Sequence, residues 1–221
     1  MKIVIANSNN IHKNMEQQLD SLLNPVFIHT KEELDPEWLK EMRPDYIFFL
    51  HWSDIIPAPV YTQFNCIVFH MTDLPYGRGG SPLQNLIVRG HDKTMLSAIK
   101  VEKGLDTGAV YLKKELSLLG TAEEIFIRAS ALMKEMIIKI VNDTLQPAAQ
   151  TGEPVIFKRR KPEESNMATL TQLQEMFDHI RMLDAEGYPH AFIENEQFRF
   201  EFSRASLKKD SIIADVRIIK K

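Results

Sequence analysis

The chain reads as an α/β protein: a mostly parallel sheet covered by helices on both faces, followed by a small C-terminal α+β appendage. Three observations predict this. Short apolar runs alternate with segments of helical period through the first 90 residues. Those runs are apolar at successive positions, as strands buried on both faces are. Beyond the turn-rich stretch 147–154 the pattern changes to one helix and an alternating hairpin. With 221 residues, 44% of them apolar, there is material for one main core and a small addition.

Each element follows from its pattern. Lys2–Ala6 is a strand, and 11–23 carries Ile11, Met15, Leu19, Leu22 and Leu23 at helical spacing. Val26–Ile28 is a short strand after Pro25. Residues 36–42 open with a proline suited to a first helical turn. Tyr46–Leu50 is a fully apolar strand, 57–64 a short helix, and Ile67–His70 the next strand. Residues 83–88 form a helix ended by Gly90. Two strands follow, 94–101 and 110–118, linked by EKGLDTG. The longest helix, 121–142, has a threonine cap and acids in its first turn. A helix over 170–183, a hairpin over 191–203 and a last strand over 211–219 complete the chain. The division expected is a main domain over 1–146, a linker over 147–169 and a helix-and-hairpin subdomain over 170–221.

Net charge is −3 and the isoelectric point is near 6.2. That balance argues against a polyanion partner, so no nucleic acid is expected. The single cysteine, Cys66, lies in an apolar run and reads as a small hydrophobe. The four-residue apolar start Ile3–Ala6 is too short for a signal peptide, and no segment has the length of a membrane span. A cytoplasmic protein is the expectation. No metal-ligand spacing stands out.

Two segments carry chemistry. The first, FHMTDLPYGRGGSPLQ over 69–84, puts His70 at a strand end before a glycine-rich turn. The second, VEKGLDTG over 101–108, carries Asp106. A parallel sheet would bring both strand ends to one edge. A carboxylate beside a histidine fixes its tautomer and stabilises the imidazolium, which suits a base near neutral pH. Gly77, Gly79 and Gly80 let backbone approach a ligand closely.

Together these segments resemble the folate-dependent formyltransferase family. His70, Leu74, Pro75, Arg78, Gly79, Pro82 and Gln84 match its first motif in order, and Asp106-Thr107-Gly108 its second. The 36-residue separation of His70 from Asp106 fits as well. The resemblance implies a Rossmann-like formyltransferase fold with 10-formyltetrahydrofolate as donor. It implies His70 and Asp106 as catalytic. It places the folate on Phe49, Leu50, His51 and Trp52, on Arg78 and Gly79, and on Val101, Lys103, Gly104 and Leu105.

One departure stands out. Where the family has an asparagine two residues before the histidine, this chain has Val68, which cannot donate to a formyl oxygen. Three accounts are open: Asn85 or Gln84 supplies an amide, His70 and backbone donors suffice, or activity is lost. The tail around Tyr188, Pro189, Ala191 and Phe192 is similar to sugar N-formyltransferases. The stretch HMTDLPYGRGGSPLQNL over 70–86 resembles the formyltransferases of pseudaminic-type amino sugars, and the two likenesses imply a nucleotide-linked amino-sugar acceptor. Asp73, Tyr76, Gly77, Arg159 and Arg160 would then contact the acceptor, and the C-terminal region would form a homodimer. The alternatives are formylation of methionyl-tRNA or another amine, or an inactive folate-binding relative.

Overall fold

A computed structural model describes residues 1–8, 13–52 and 54–221. The expected helix start at Ile11 lies outside the described residues. The chain divides into two compact units. Unit 1 comprises Met1–Gly79, Met95–Leu116 and Ile127–Ile156; unit 2 comprises Gly80–Thr94, Ser117–Phe126 and Phe157–Lys221. The units are therefore interleaved in sequence, and two segments of the expected main domain group with the C-terminal residues.

Among the described residues the main sheet has six strands. They are β1 (Ile3–Asn7), β2 (Val26–Ile28), β3 (Tyr46–Leu50), β4 (Cys66–His70), β6 (Lys93–Lys100) and β7 (Val110–Ser117), in the order β2-β1-β3-β4-β6-β7. The pairs β1–β2, β1–β3 and β3–β4 are parallel, so the C-terminal ends of β1, β3 and β4 share one edge. Every residue of β1 and β3 is buried, in line with the apolar runs Ile3–Ala6 and Tyr46–Leu50, and the polar Asn7 is buried with them. Removal of one such Phe or Ile side chain from water contributes about 1.5–3 kcal/mol.

The departure from a parallel sheet is decisive for the site. Strand β6 runs antiparallel to β4, with His70 opposite Ser97 and Ile67 opposite Lys100. The end of β6 therefore lies beside the start of β4, where the Val101 N–H donates to the Cys66 carbonyl at 2.8 Å. At ~3.3 Å per residue, four residues along β6 put this about 13 Å from the His70 end. The His70 and Asp106 segments do not meet by sharing a sheet edge. The loop after β6 and the two side chains must span that distance.

Helices α1 (Lys13–Leu23), α2 (Pro36–Met42) and α3 (Ala58–Tyr61) belong to unit 1. Met15 and Leu19 of α1 are buried, in line with the spacing in the sequence. Helix α2 is capped by the Asp35 carboxylate, which accepts from the N–H groups of Glu37 and Trp38 and stabilises the helix by about 1 kcal/mol. Leu39, Phe49, Val60 and Cys66 share one core face, with Trp52, Val68 and Val101 packed against it. A short strand β5 (Tyr76–Gly79) pairs with β8 (Val155–Phe157). Neither strand was expected from the sequence, because glycine-rich YGRG has no strand pattern.

Unit 2 contains α4 (Pro82–Ile87) and α6 (Leu173–Arg181). Helix α5 (Ala122–Asn142) contributes its first turn to this unit and the rest to unit 1. Strands β9 (Ala191–Glu194), β10 (Phe198–Leu207) and β11 (Ile212–Lys220) form an antiparallel sheet in the order β11-β10-β9, the hairpin and last strand that the alternation predicts. Arg181 is buried, bonded to Asp178 at 2.6 Å and to the carbonyls of Leu118 and Gly120. Among the described residues no helix is long and apolar enough to cross a membrane.

Candidate active site

The site in unit 1 starts from the end of β4. His70 is 8% exposed. Its Nε2 lies 2.8 Å from the Gly77 carbonyl oxygen. A carbonyl can only accept, so Nε2 carries the hydrogen and Nδ1 is the nitrogen left to bind a proton. Nδ1 faces Asp106 Oδ2 at 3.6 Å. That distance is too long for a hydrogen bond and short enough for an ion pair. The tautomer of His70 is thus fixed by the Gly77 carbonyl, not by the carboxylate as the sequence suggests.

Buried polar groups hold this geometry. Thr72 and Ser97 are fully buried, and the Ser97 hydroxyl donates to the Thr72 carbonyl at 2.7 Å. Thr72 Oγ1 also reaches the Gly77 carbonyl, at 3.4 Å. Asp106 Oδ2 accepts from the Gly79 N–H at 2.9 Å. Asp106 itself has φ of +53°, a left-handed conformation that an aspartate tolerates better than most side chains. Gly108 is required for contact: a Cβ there would lie 1.7 Å from the Lys100 carbonyl oxygen.

Gln150 joins the two segments. Its Nε2 donates to the Asp106 and Gly108 carbonyls, both at 2.8 Å. Its Oε1 accepts from Arg78 Nε at 3.1 Å and Nη2 at 2.7 Å. Nothing in the turn-rich linker distinguishes Gln150 in the sequence. Thr72 and Ser97 are equally silent, since a buried hydroxyl looks like an exposed one until the fold is known.

The expected folate contacts divide. Trp52 stands edge-on to Phe49, with ring centroids 5.7 Å apart. Its indole N–H is buried and has no hydrogen-bond partner among the described residues. The β1–β3 ladder reaches Leu50 while the β3–β4 ladder stops at Phe49, so Leu50 has a strand partner on one side only. An orphaned donor and a half-paired strand end fit a flat heteroaromatic with its own polar edge. His51 has φ of +49°, and burial pushes its imidazole below the usual histidine range, which favours the neutral form. Val101 fits less well, because its N–H is already bonded to Cys66. Lys103, Gly104 and Leu105 lie on an exposed loop, with Leu105 66% exposed.

Asp73 is exposed and paired with Lys113 at 2.5 Å. Tyr76 is half-buried, and Gly77 already gives its carbonyl to His70. Val68 is half-buried against the core and offers no donor. Cys66 is inert: burial pushes its thiol up to about 12. Among the described residues no group of three or more His, Cys, Asp or Glu side chains could hold a metal ion.

Asn85, Arg159 and Arg160 belong to unit 2. The Asn85 amide nitrogen donates to the carbonyls of Gly80, Ser81 and Lys158, each at 3.0 Å, and Oδ1 accepts from Arg89 at 2.8 Å. Both of its N–H groups are thus engaged by backbone carbonyls, which leaves no free amide donor. Gln84 is likewise engaged, donating to the Met182 carbonyl at 3.1 Å. Arg159 is exposed, whereas Arg160 is half-buried, bonded to the Glu164 carbonyl and to Ser81 Oγ.

Comparison with known proteins adds the family. The formyl transferase profile matches residues 3–141. The chain belongs to the formyl transferase family. Membership bears out the donor expected from the sequence, 10-formyltetrahydrofolate. A second profile, that of the methionyl-tRNA formyltransferase C-terminal domain, matches residues 162–219. A solved methionyl-tRNA formyltransferase from Clostridium thermocellum is 49% identical, superimposes with a TM-score of 0.97, and is covered completely in both chains. The methionyl-tRNA formyltransferase of Francisella philomiragia subsp. philomiragia is 28% identical over 195 residues, covering 83% of this formyl transferase and 62% of the relative. That of Ehrlichia ruminantium is 27% identical over 213 residues, covering 94% and 68%. The first curated relatives are therefore spanned for only 55–62% of their length.

A sugar N-formyltransferase from Shewanella sp. shares 17% identity with a TM-score of 0.68, a likeness of fold alone. The amino-sugar acceptor and the absence of a nucleic-acid partner, both expected from the sequence, are overturned. The relatives at high coverage are named for methionyl-tRNA, which is a nucleic acid. The expectation failed because a net charge of −3 averages over the chain. Phosphate contacts need only local clusters, such as Lys158–Lys161, Lys208–Lys209 and Lys220–Lys221. The shared tail motif misled as well, being a feature of fold.

Proposed function

We propose that this formyl transferase moves the formyl group of 10-formyltetrahydrofolate to the amino group of methionyl-tRNA. The observation that carries the chemistry is His70, with Nε2 on a carbonyl and Nδ1 facing Asp106 at 3.6 Å. The full-length likeness to the Clostridium thermocellum protein supports the acceptor.

The donor supplies an activated formyl carbon. The acceptor amine must lose a proton as its nitrogen bonds to that carbon. His70 Nδ1 takes this proton, and the Asp106 carboxylate stabilises the imidazolium that results. The same Nδ1–H is then the group that returns a proton to the departing folate nitrogen. Because Nε2–H is held by Gly77, the ring needs no reorientation between the two transfers. With valine at 68, stabilisation of negative charge on the formyl oxygen falls to the protonated ring and to backbone donors. In unit 2 the exposed cations Lys158, Arg159 and Lys161 supply contacts to the tRNA backbone.

The test is formylation of methionyl-tRNA by the purified chain with 10-formyltetrahydrofolate, read as formylmethionyl-tRNA on an acid gel. Product formation that weakens steeply with salt is expected, since backbone contacts release counterions. Transfer of the formyl group to other amines but never to aminoacyl-tRNA would overturn the acceptor.

A further inference from the structure

We propose that Gln150 is a positioning residue, which holds the Asp106 carboxylate against His70 by tying its loop to Arg78. Its catalytic consequence rests on the formyl-transfer reading; its effect on the loop does not. Gln150 lies between the two stretches matched to known families, 3–141 and 162–219, so neither match assigns it.

The geometry is specific to an amide. Two donors meet two carbonyls, those of Asp106 and Gly108, both at 2.8 Å. Two lone pairs meet two guanidinium nitrogens of Arg78, at 3.1 and 2.7 Å. Only a primary amide can donate twice and accept twice. Its orientation is fixed, because a flip would set its oxygen against two carbonyls and its NH2 against a cation. The span in sequence is 44 residues to Asp106 and 72 to Arg78. One side chain thus joins the end of the histidine segment to the aspartate segment.

The loop needs such a hold. Strand β6 delivers it beside the start of β4, away from His70, and Asp106 has a left-handed backbone. A residue in that conformation persists only where its surroundings impose it. The bond from Gln150 to the Asp106 carbonyl acts on that peptide directly. The Gly79 N–H on Oδ2 then aims the carboxylate. Arg78 is anchored in turn, so its place in the site is set by Gln150 as much as by β5.

Gln150→Glu is the discriminating variant. It keeps the acceptor for Arg78, strengthens that pair by charge, and replaces the NH2 group by one oxygen that repels the Asp106 and Gly108 carbonyls. We expect turnover to fall about 100-fold, the size of effect that a misplacement near 1 Å produces. The KM for the donor and the melting temperature should change little. In a double-mutant cycle with Asp106→Asn the losses should not multiply, because Gln150 acts through Asp106. Turnover of Gln150→Glu within threefold of the parent, or losses that multiply, would overturn the proposal. Hydrogen exchange gives a readout independent of activity. Gln150→Ala should speed amide exchange in 103–109 at least tenfold while β1 to β4 keep their protection; unchanged exchange in the loop would also overturn it. Should the parent formylate nothing, the functional reading fails and exchange alone decides the loop.

Discussion

Asp106→Asn isolates the charge of the carboxylate. The replacement amide can still accept from the Gly79 N–H, the bond that aims the native side chain. The loop should therefore stay in place, and only the field at His70 should change. The native carboxylate lies 3.6 Å from Nδ1, with side chains 9% and 14% exposed. At an effective dielectric constant of about 20, a carboxylate and an imidazolium at that distance attract by about 4–5 kcal/mol. Since each 1.36 kcal/mol is tenfold in rate, its loss predicts a fall in kcat of about 1,000-fold. The donor KM should stay within a few-fold, because Asp106 is assigned to proton handling and not to binding. Stopped-flow measurement of tetrahydrofolate release at saturating acceptor, with the donor concentration varied, reads both. A loss under tenfold would show that the carboxylate does not stabilise a charged ring. A loss confined to KM would reassign Asp106 to binding.

Further outcomes follow from the same contacts. Gly108→Ala forces a Cβ to 1.7 Å from the Lys100 carbonyl, so the loop must move, and activity should fall by an order of magnitude or more with β1 to β4 still protected from exchange. Arg181→Ala leaves half-buried Asp178 and two carbonyls without their partner and should destabilise unit 2 by about 3 kcal/mol in denaturant titration. Asn85→Ala should lower the melting temperature through the 80–81 turn; normal melting with lost turnover would revive a catalytic amide. Burial lowers the values of His51 and His179 below the ordinary ~6.5 of the unfolded chain. The unfolded state then binds more protons, so stability should drop as pH falls through about 6.5, seen as a lower melting temperature at pH 5.5 than at 7.5. His51→Asn, which tolerates the left-handed backbone, should make that dependence shallower.

The main sheet was legible because its central strands β1 and β3 are almost wholly apolar and its helices carry caps or regular spacing. Tyr46–Leu50 and residues 36–42 emerge with the bounds read from the sequence. The direction of β6 was not legible, since a hairpin partner and a crossover strand share one apolar pattern. His70 and Asp106 were found by their motifs, and the structure brings them together. The ring's tautomer depended on Gly77, a carbonyl that no side-chain pattern reveals. Asn85 was misread because an amide looks equally able to serve substrate or backbone. The acceptor was misread because total charge says little about where charge lies. Gln150 sits in a stretch without periodicity, and its four bonds run to residues 42 to 72 positions away.

The central claim is that His70 carries the proton during formyl transfer to methionyl-tRNA. Single-turnover formylation of methionyl-tRNA by His70→Ala, at saturating 10-formyltetrahydrofolate and against the parent chain, tests it most directly. The account predicts a loss of at least about 1,000-fold with tRNA binding and melting temperature preserved. Formylation by His70→Ala within tenfold of the parent would contradict it.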